Sequence, residues 1–159
     1  MSGIVKRNVG DLTYEAVDAN IVGGMVCVPS TTVTESGDQG VTPAGANAIN
    51  VLGVASKDAV TAANRAALTS STGPAPLSAF LTDASVPGAT VTLYNDFFGN
   101  VVYASGTAVA YGDAIKAAAN GTVTKHVSGT DAPERKIGWC AQKGGVGTGG
   151  GVALGRILV

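Results

Sequence analysis

Apolar and polar positions along this chain trade places every one or two residues, in short runs separated by turn residues. That is the period of a β-strand, in which successive side chains point to opposite faces. Residues 12–17 alternate loosely, and Met25, Val26, Cys27 and Val28 form an apolar run that Pro29 is expected to end. The β-branched residues 31–34 read as the next strand, residues 35–45 as a loop, and residues 50–55 as another buried strand. Residues 77–82, 90–94, 114–118, 122–124, 137–140 and 152–159 continue the pattern. Two hairpin signals stand out, Gly99-Asn100 and Asn120-Gly121, because Asn and Gly tolerate the positive φ that tight hairpin turns need. One segment, residues 58–68, carries the Ala content and the leading Asp58 of a short helix. About ten short strands with turn signals every eight to twelve residues predict an all-β fold, a small β-barrel or sandwich with at most one short helix.

The first and last thirds of the chain match in order. Gly23, Gly24 and the strand after them answer Tyr111, Gly112 and residues 113–116; residues 32–34 answer residues 122–124. Residues 50–55 answer residues 135–141, with Gly53 opposite Gly138. Such agreement arises from a duplicated unit, about 21–60 and 108–145, or from chance likeness of short β segments. Either way, a glycine inside a strand marks a bend or a close backbone approach. The domain expectation is an extended N-terminal arm over residues 1–10 and a single β domain over residues 11–159.

Composition narrows the function classes. Of 159 residues only 13% are charged, against roughly 25% in ordinary soluble domains, and 23 are glycine. A surface built from Thr, Ser, Asn and Gly suits packing inside an assembly, where unpaired charge is costly. The net charge of −1 and the absence of any basic stripe argue against nucleic acid as a partner. No apolar run reaches the eighteen or so residues of a membrane-spanning helix, and residues 1–7 lack a signal-peptide core. The expectation is a chain made in a cytoplasm, with neither membrane nor cofactor.

Candidate chemistry is thin. Cys27 and Cys140 sit in apolar runs and read as buried thiols; a disulfide requires their strands to be neighbours. His126, the single histidine, lacks a nearby nucleophile motif and reads as a solvated loop residue. The acidic residues are scattered at turns, where Asp caps its own backbone. Residues 134–136 read as a solvated charged face, and the glycine run at 144–151 as a mobile loop, since no helix and no Lys-Ser or Lys-Thr follows it to hold a phosphate. These observations leave no catalytic, cofactor or metal residues to name, and the chain is expected not to be an enzyme. The binding candidates are Ile4, Val5, Lys6 and Arg7 on the arm, and the aromatic group Tyr94, Phe97, Phe98 and Tyr103, which serves either the core or an interface.

The sequence of turns and strands from Tyr111 through Asn120-Gly121 to Gly138, Trp139 and Cys140, followed by the glycine run and residues 152–159, resembles the capsid decoration (cement) proteins of tailed bacteriophages, especially those infecting actinobacteria. Residues 50–59 fit the same pattern; the segment from about 61 to 84 departs from it as an insertion. The resemblance implies a β-tulip-like body on the outer surface of an icosahedral head. It also implies attachment between subunits of the major capsid protein, self-association as a homo-oligomer, often a homotrimer, and an arm that orders on the capsid. Another virion structural part, a head fibre base or tail-associated module, is the alternative. A small enzyme or carbohydrate-binding domain is a third, disfavoured by the scarce aromatics and the lack of a paired acid.

Overall fold

A computed structural model gives the fold, and it describes residues 12–17, 21–33, 39–55 and 90–159. The arm residues Ile4, Val5, Lys6 and Arg7, the helix expected at 58–68 and the strand expected at 77–82 lie outside the described residues. The described residues form ten strands: β1 (Leu12–Ala16), β2 (Val26–Val33), β3 (Gln39–Pro43), β4 (Gly53–Ala55), β5 (Thr90–Tyr94), β6 (Asp96–Tyr103), β7 (Ala114–Ala117), β8 (Val123–Lys125), β9 (Lys136–Cys140) and β10 (Gly151–Leu158). The only helical segments among the described residues are two single 3-10 turns, at Ala119–Gly121 and Pro133–Arg135. The protein is all-β, as its alternation predicts, and the strands close into two barrels, β1-β3-β2-β4-β5 and β10-β6-β8-β7-β9.

The two barrels are wired identically. In the first, β1 runs parallel to β3 and antiparallel to β5, β2 is antiparallel to β3 and β4, and β4 is antiparallel to β5. Substituting β6 to β10 for β1 to β5 reproduces every relation in the second. The registers agree as well. Cys27 opposite Gly53 answers Ile115 opposite Gly138, and Val26 opposite Val54 answers Ala114 opposite Trp139. Tyr14 opposite Val91 answers Val101 opposite Ala153, and Ala55 opposite Leu93 answers Cys140 opposite Gly155. Gly53 and Gly138, paired by their sequence context, thus occupy one structural position, and the correspondence extends to strands that show no likeness in sequence. One sequence match is corrected: Val41, not Val33, stands where Val123 stands, because Val33 belongs to the end of β2.

Four local expectations change for identifiable reasons. Pro29 does not end its strand. Only Val26 and Cys27 of β2 face β4, so Pro29 has a neighbour on the β3 side alone, and the ladder shifts register between Pro29 and Val33; this is the edge-and-bulge setting in which proline is tolerated. Residues 39–43, read as loop, form β3. Gly99-Asn100 is not a turn but lies mid-strand in β6, opposite Gly155 and Leu154. A Cβ on Gly99 would come within 2.7 Å of the Phe97 ring, so this glycine provides room rather than curvature. The run at 144–151 is tied down: Val146 exchanges both backbone hydrogen bonds with Val109, at 2.7 and 2.9 Å, and Gly106 N–H donates to Thr148 O at 2.7 Å. The Asn120-Gly121 hairpin is as expected, with φ of 56° and 70°.

Two apolar clusters hold the fold. Ala16, Ile21, Cys27, Val41, Ala55, Val91 and Leu93 fill the first barrel. The second cluster combines interior residues of the second barrel, among them Val101, Tyr103, Ile115, Val123, Cys140 and Ile157, with Val26, Val28, Ala44 and Val54 from the first. Because β2 and β4 alternate, Cys27 and Ala55 point into their own barrel while Val26, Val28 and Val54 pack on the next one. Cys27 and Cys140 are both buried free thiols, one in each cluster, and burial pushes the Cys27 thiol up to about 12, which makes it inert.

Candidate interaction surface

The second barrel carries the exposed apolar side chains that its own folding does not bury. On β10, Ala153, Gly155 and Ile157 turn inward, which leaves Val152, Leu154, Arg156 and Leu158 on the outer face. The inward glycine is forced: a Cβ on Gly155 would lie 2.6 Å from Val101 Cγ2 and 3.1 Å from the Tyr103 hydroxyl. Register then sets a row across three strands, with Arg156 flanked by Phe98 of β6 and Trp139 of β9. Phe98 is 65% exposed, Val152 66% and Trp139 37%. Arg156 reaches Asp96 Oδ1 at 3.2 Å, and the Lys136 ammonium sits 4.3 Å from the centre of the Trp139 ring, a cation–π contact. Trp, Arg and a second aromatic side by side on a sheet face are the residue types that dominate protein–protein hot spots.

The four aromatic candidates separate. Tyr103 is buried in the second barrel, and its hydroxyl donates to Leu154 O at 3.0 Å. Burial, and then the neighbouring Cys140, push its phenol well above the usual range. Phe97 packs against the core cluster and stacks with Tyr94, ring centres 6.1 Å apart. Phe98 alone of the four stands out in solvent. Trp139 and Arg156 were not singled out in the sequence. The alternation of β10 would have revealed Arg156. Trp139 was hidden because β9 is irregular, its ladder with β7 shifting register between Ile115 and Lys116.

Two further ion pairs lie in this barrel. Lys116 bonds the Asp131 carboxylate, which also accepts from Val127 N–H at 2.8 Å; these contacts, the lysine first, hold Asp131 below the usual carboxylate range. Lys125 lies 2.8 Å from Asp113, and together with Ala110 N–H it holds that carboxyl low as well. His126 is not the solvated residue expected. It is 9% exposed, its backbone N–H donates to Ala114 O at 2.8 Å, and its Nε2 lies 3.1 Å from Ala132 O. Register explains this: Ala44 N–H makes the same bond to Val26 O in the first barrel, so position 126 is a folded-in strand end. Among the described residues no three His, Cys, Asp or Glu side chains gather to hold a metal. A shallow groove lined by Tyr103, Ser105, Asn120, Thr122 and Gly149 contains no carboxylate, imidazole, thiol or ammonium.

No family model matches the chain, and no curated protein matches its sequence. Among solved structures it is similar to the head fiber gp8.5 N base in bacteriophage phi29, at 12% identity and a TM-score of 0.48, over 94% of this chain and 92% of that one.

Proposed function

We propose that the chain is a non-catalytic structural protein of a tailed-phage virion, attached to the head through protein–protein contacts. The observation that carries this reading is the outer face of the second barrel, where Phe98, Arg156 and Trp139 form a row, while Asp113 and Asp131 are each paired with a lysine. A rigid barrel presenting such a face is a docking element. The low charge of the chain and the resemblance of residues 111–141 to capsid decoration proteins supply the virion context.

Two finer readings follow, a base module for a head fibre and a decoration protein seated between major capsid subunits on the outer surface. The closed barrels weaken one argument for the second. Each described strand has a neighbour on both sides over part of its length, so the edges left for capsid or a trimeric partner to cover are short stretches such as the far end of β2. Gold-labelled antibody to the chain, applied to purified particles and followed by cryo-electron microscopy, tests the whole reading. Label on the head is expected. A dense lattice of label selects decoration, sparse label on projections selects the fibre base, and unlabelled particles overturn a virion role.

A further inference from the structure

The turn at Asn120 and Gly121 belongs to the second barrel, yet it is bonded to the first. Gly121 N–H donates to Ala44 O at 2.8 Å, and Asn47 N–H donates to Ala117 O at 3.0 Å. A Cβ on Gly121 would lie 3.0 Å from Met25 Cβ, 3.0 Å from Val26 O and 3.2 Å from Pro43 Cβ. Beside these contacts, Val26 and Ala44 are fully buried in the cluster that the two barrels share. The turn is thus a clasp between the barrels. Its glycine is required twice, by a φ of 70° and by the close approach of the first barrel.

Asn-Gly is also a reactive pair. With no Cβ to shield it, the glycine amide nitrogen attacks the side-chain carbonyl carbon of the asparagine. A bond forms between that nitrogen and Cγ, the Cγ–Nδ2 bond breaks, and ammonia leaves with the proton given up by the glycine nitrogen. The five-membered imide then takes up water and opens to an aspartyl residue or to an isoaspartyl residue, in which the main chain runs through the side chain. Water is the sole co-reactant, and Asn120 is exposed to it. Ring closure makes two demands. The glycine N–H must be free to give up its proton, and its nitrogen must lie on the same side of the asparagine Cα–C bond as Cβ. Neither is met in the closed clasp. The N–H is held by Ala44 O, and Asn120, at ψ 39°, sets the Gly121 nitrogen nearly opposite its own Cβ.

We propose that Asn120 is a self-modification site kept closed by the contact between the barrels, and that its conversion to isoaspartate breaks that contact. The isoaspartyl main chain is one atom longer, so Gly121 N–H no longer meets Ala44 O while β7 and β8 keep their register. Opening the clasp starts the reaction, and the reaction then keeps the clasp open. The modification therefore marks each molecule whose barrels have come apart.

The full chain is incubated in mildly alkaline buffer, with and without unfolding urea. Peptide mapping by mass spectrometry reads the change from amide to acid at residue 120, and electron-transfer fragmentation separates isoaspartyl from aspartyl. Conversion is expected in urea and is expected to be slower in the folded chain by about 100-fold or more, as for groups released only when the fold opens. Asn47→Pro removes the bond to Ala117 and forbids the φ of 61° at this exposed position. Checked for folding by circular dichroism, this variant is expected to raise the folded-state rate about tenfold. Folded-state conversion as fast as that in urea overturns the proposal. So does a folded Asn47→Pro protein that converts no faster than its parent, which would make the turn's own conformation the guard. Where the variant does not fold, the parent in urea below its unfolding midpoint decides. Exchange of the Gly121 amide hydrogen and conversion are expected to accelerate together, and constant conversion under rising exchange defeats the link. Isoaspartyl chain refolded from urea is expected to melt at a lower temperature than unconverted chain, and equal melting temperatures would show that conversion leaves the clasp intact.

Discussion

Gly53 and Gly138 lie against the same backbone group in the two barrels: a Cβ on Gly53 would meet the carbonyl of Tyr94, and one on Gly138 would overlap the carbonyl of Arg156. Tyr94 and Arg156 are themselves equivalent, opposite Val54 and Trp139 respectively. Each barrel therefore closes where its fourth strand meets its fifth with no space for a side chain. Gly138→Ala is expected to destabilise by about 3 kcal/mol or more, as overpacking against immovable backbone does, and Gly53→Ala by a comparable amount. Urea unfolding of both variants checks this; a loss below about 0.5 kcal/mol in either would show that the strands can move apart.

Acid should loosen the second barrel. Asp113 and Asp131 have carboxyls held below their ordinary value by Lys125 and Lys116. Depressed folded-state values give stability that is present above the unfolded value of about 3.9 and is lost as pH falls through the folded values. Tm measured between pH 6 and pH 2 should therefore be level at first and then fall. Lys116→Met should make the acid-side fall shallower, since Asp131 would then titrate nearer its unfolded value. An unchanged slope would show that the ion pair is not what holds that carboxyl low.

The Tyr103 hydroxyl is satisfied inside the barrel by Leu154 O at 3.0 Å. Tyr103→Phe leaves that carbonyl with one bond fewer and removes one buried hydroxyl, for an expected cost of about 1 kcal/mol. Ile157→Ala, at a fully buried interior position, is expected to cost 2–5 kcal/mol, roughly, through the cavity it leaves. Thermal or denaturant unfolding of the two variants should preserve this order, and a reversal would mean that Tyr103 matters more as a bonded group than as a filler.

Exposed Phe98 separates stability from attachment. Phe98→Ala is expected to change unfolding free energy by no more than about 0.5 kcal/mol, as surface changes do, while weakening retention on particles measurably in a pull-down with purified heads. Equal retention of variant and parent would remove Phe98 from the working surface.

The sequence by itself determined most of the strands, though not β3 or the unbroken run of β6, and the Asn120-Gly121 turn. Alternation, β-branched runs and Asn120-Gly121 are local signals, and the structure follows them. It also marked Gly53 and Gly138 as partners, because a glycine forced by close backbone approach leaves the same trace in both copies. Tertiary structure decided what local signals cannot carry. Whether Gly99-Asn100 turns or runs straight depended on the Phe97 ring beside it. Whether His126 met water depended on a backbone bond to Ala114, twelve residues away. Which face of β9 looked outward depended on a register shift against β7. The exposure of Trp139 depended on nothing among the described residues covering it as the second barrel covers Val54. That last fact belongs to the arrangement of closed barrels, in which identical wiring gives two equivalent faces and packing among the described residues fills only one of them.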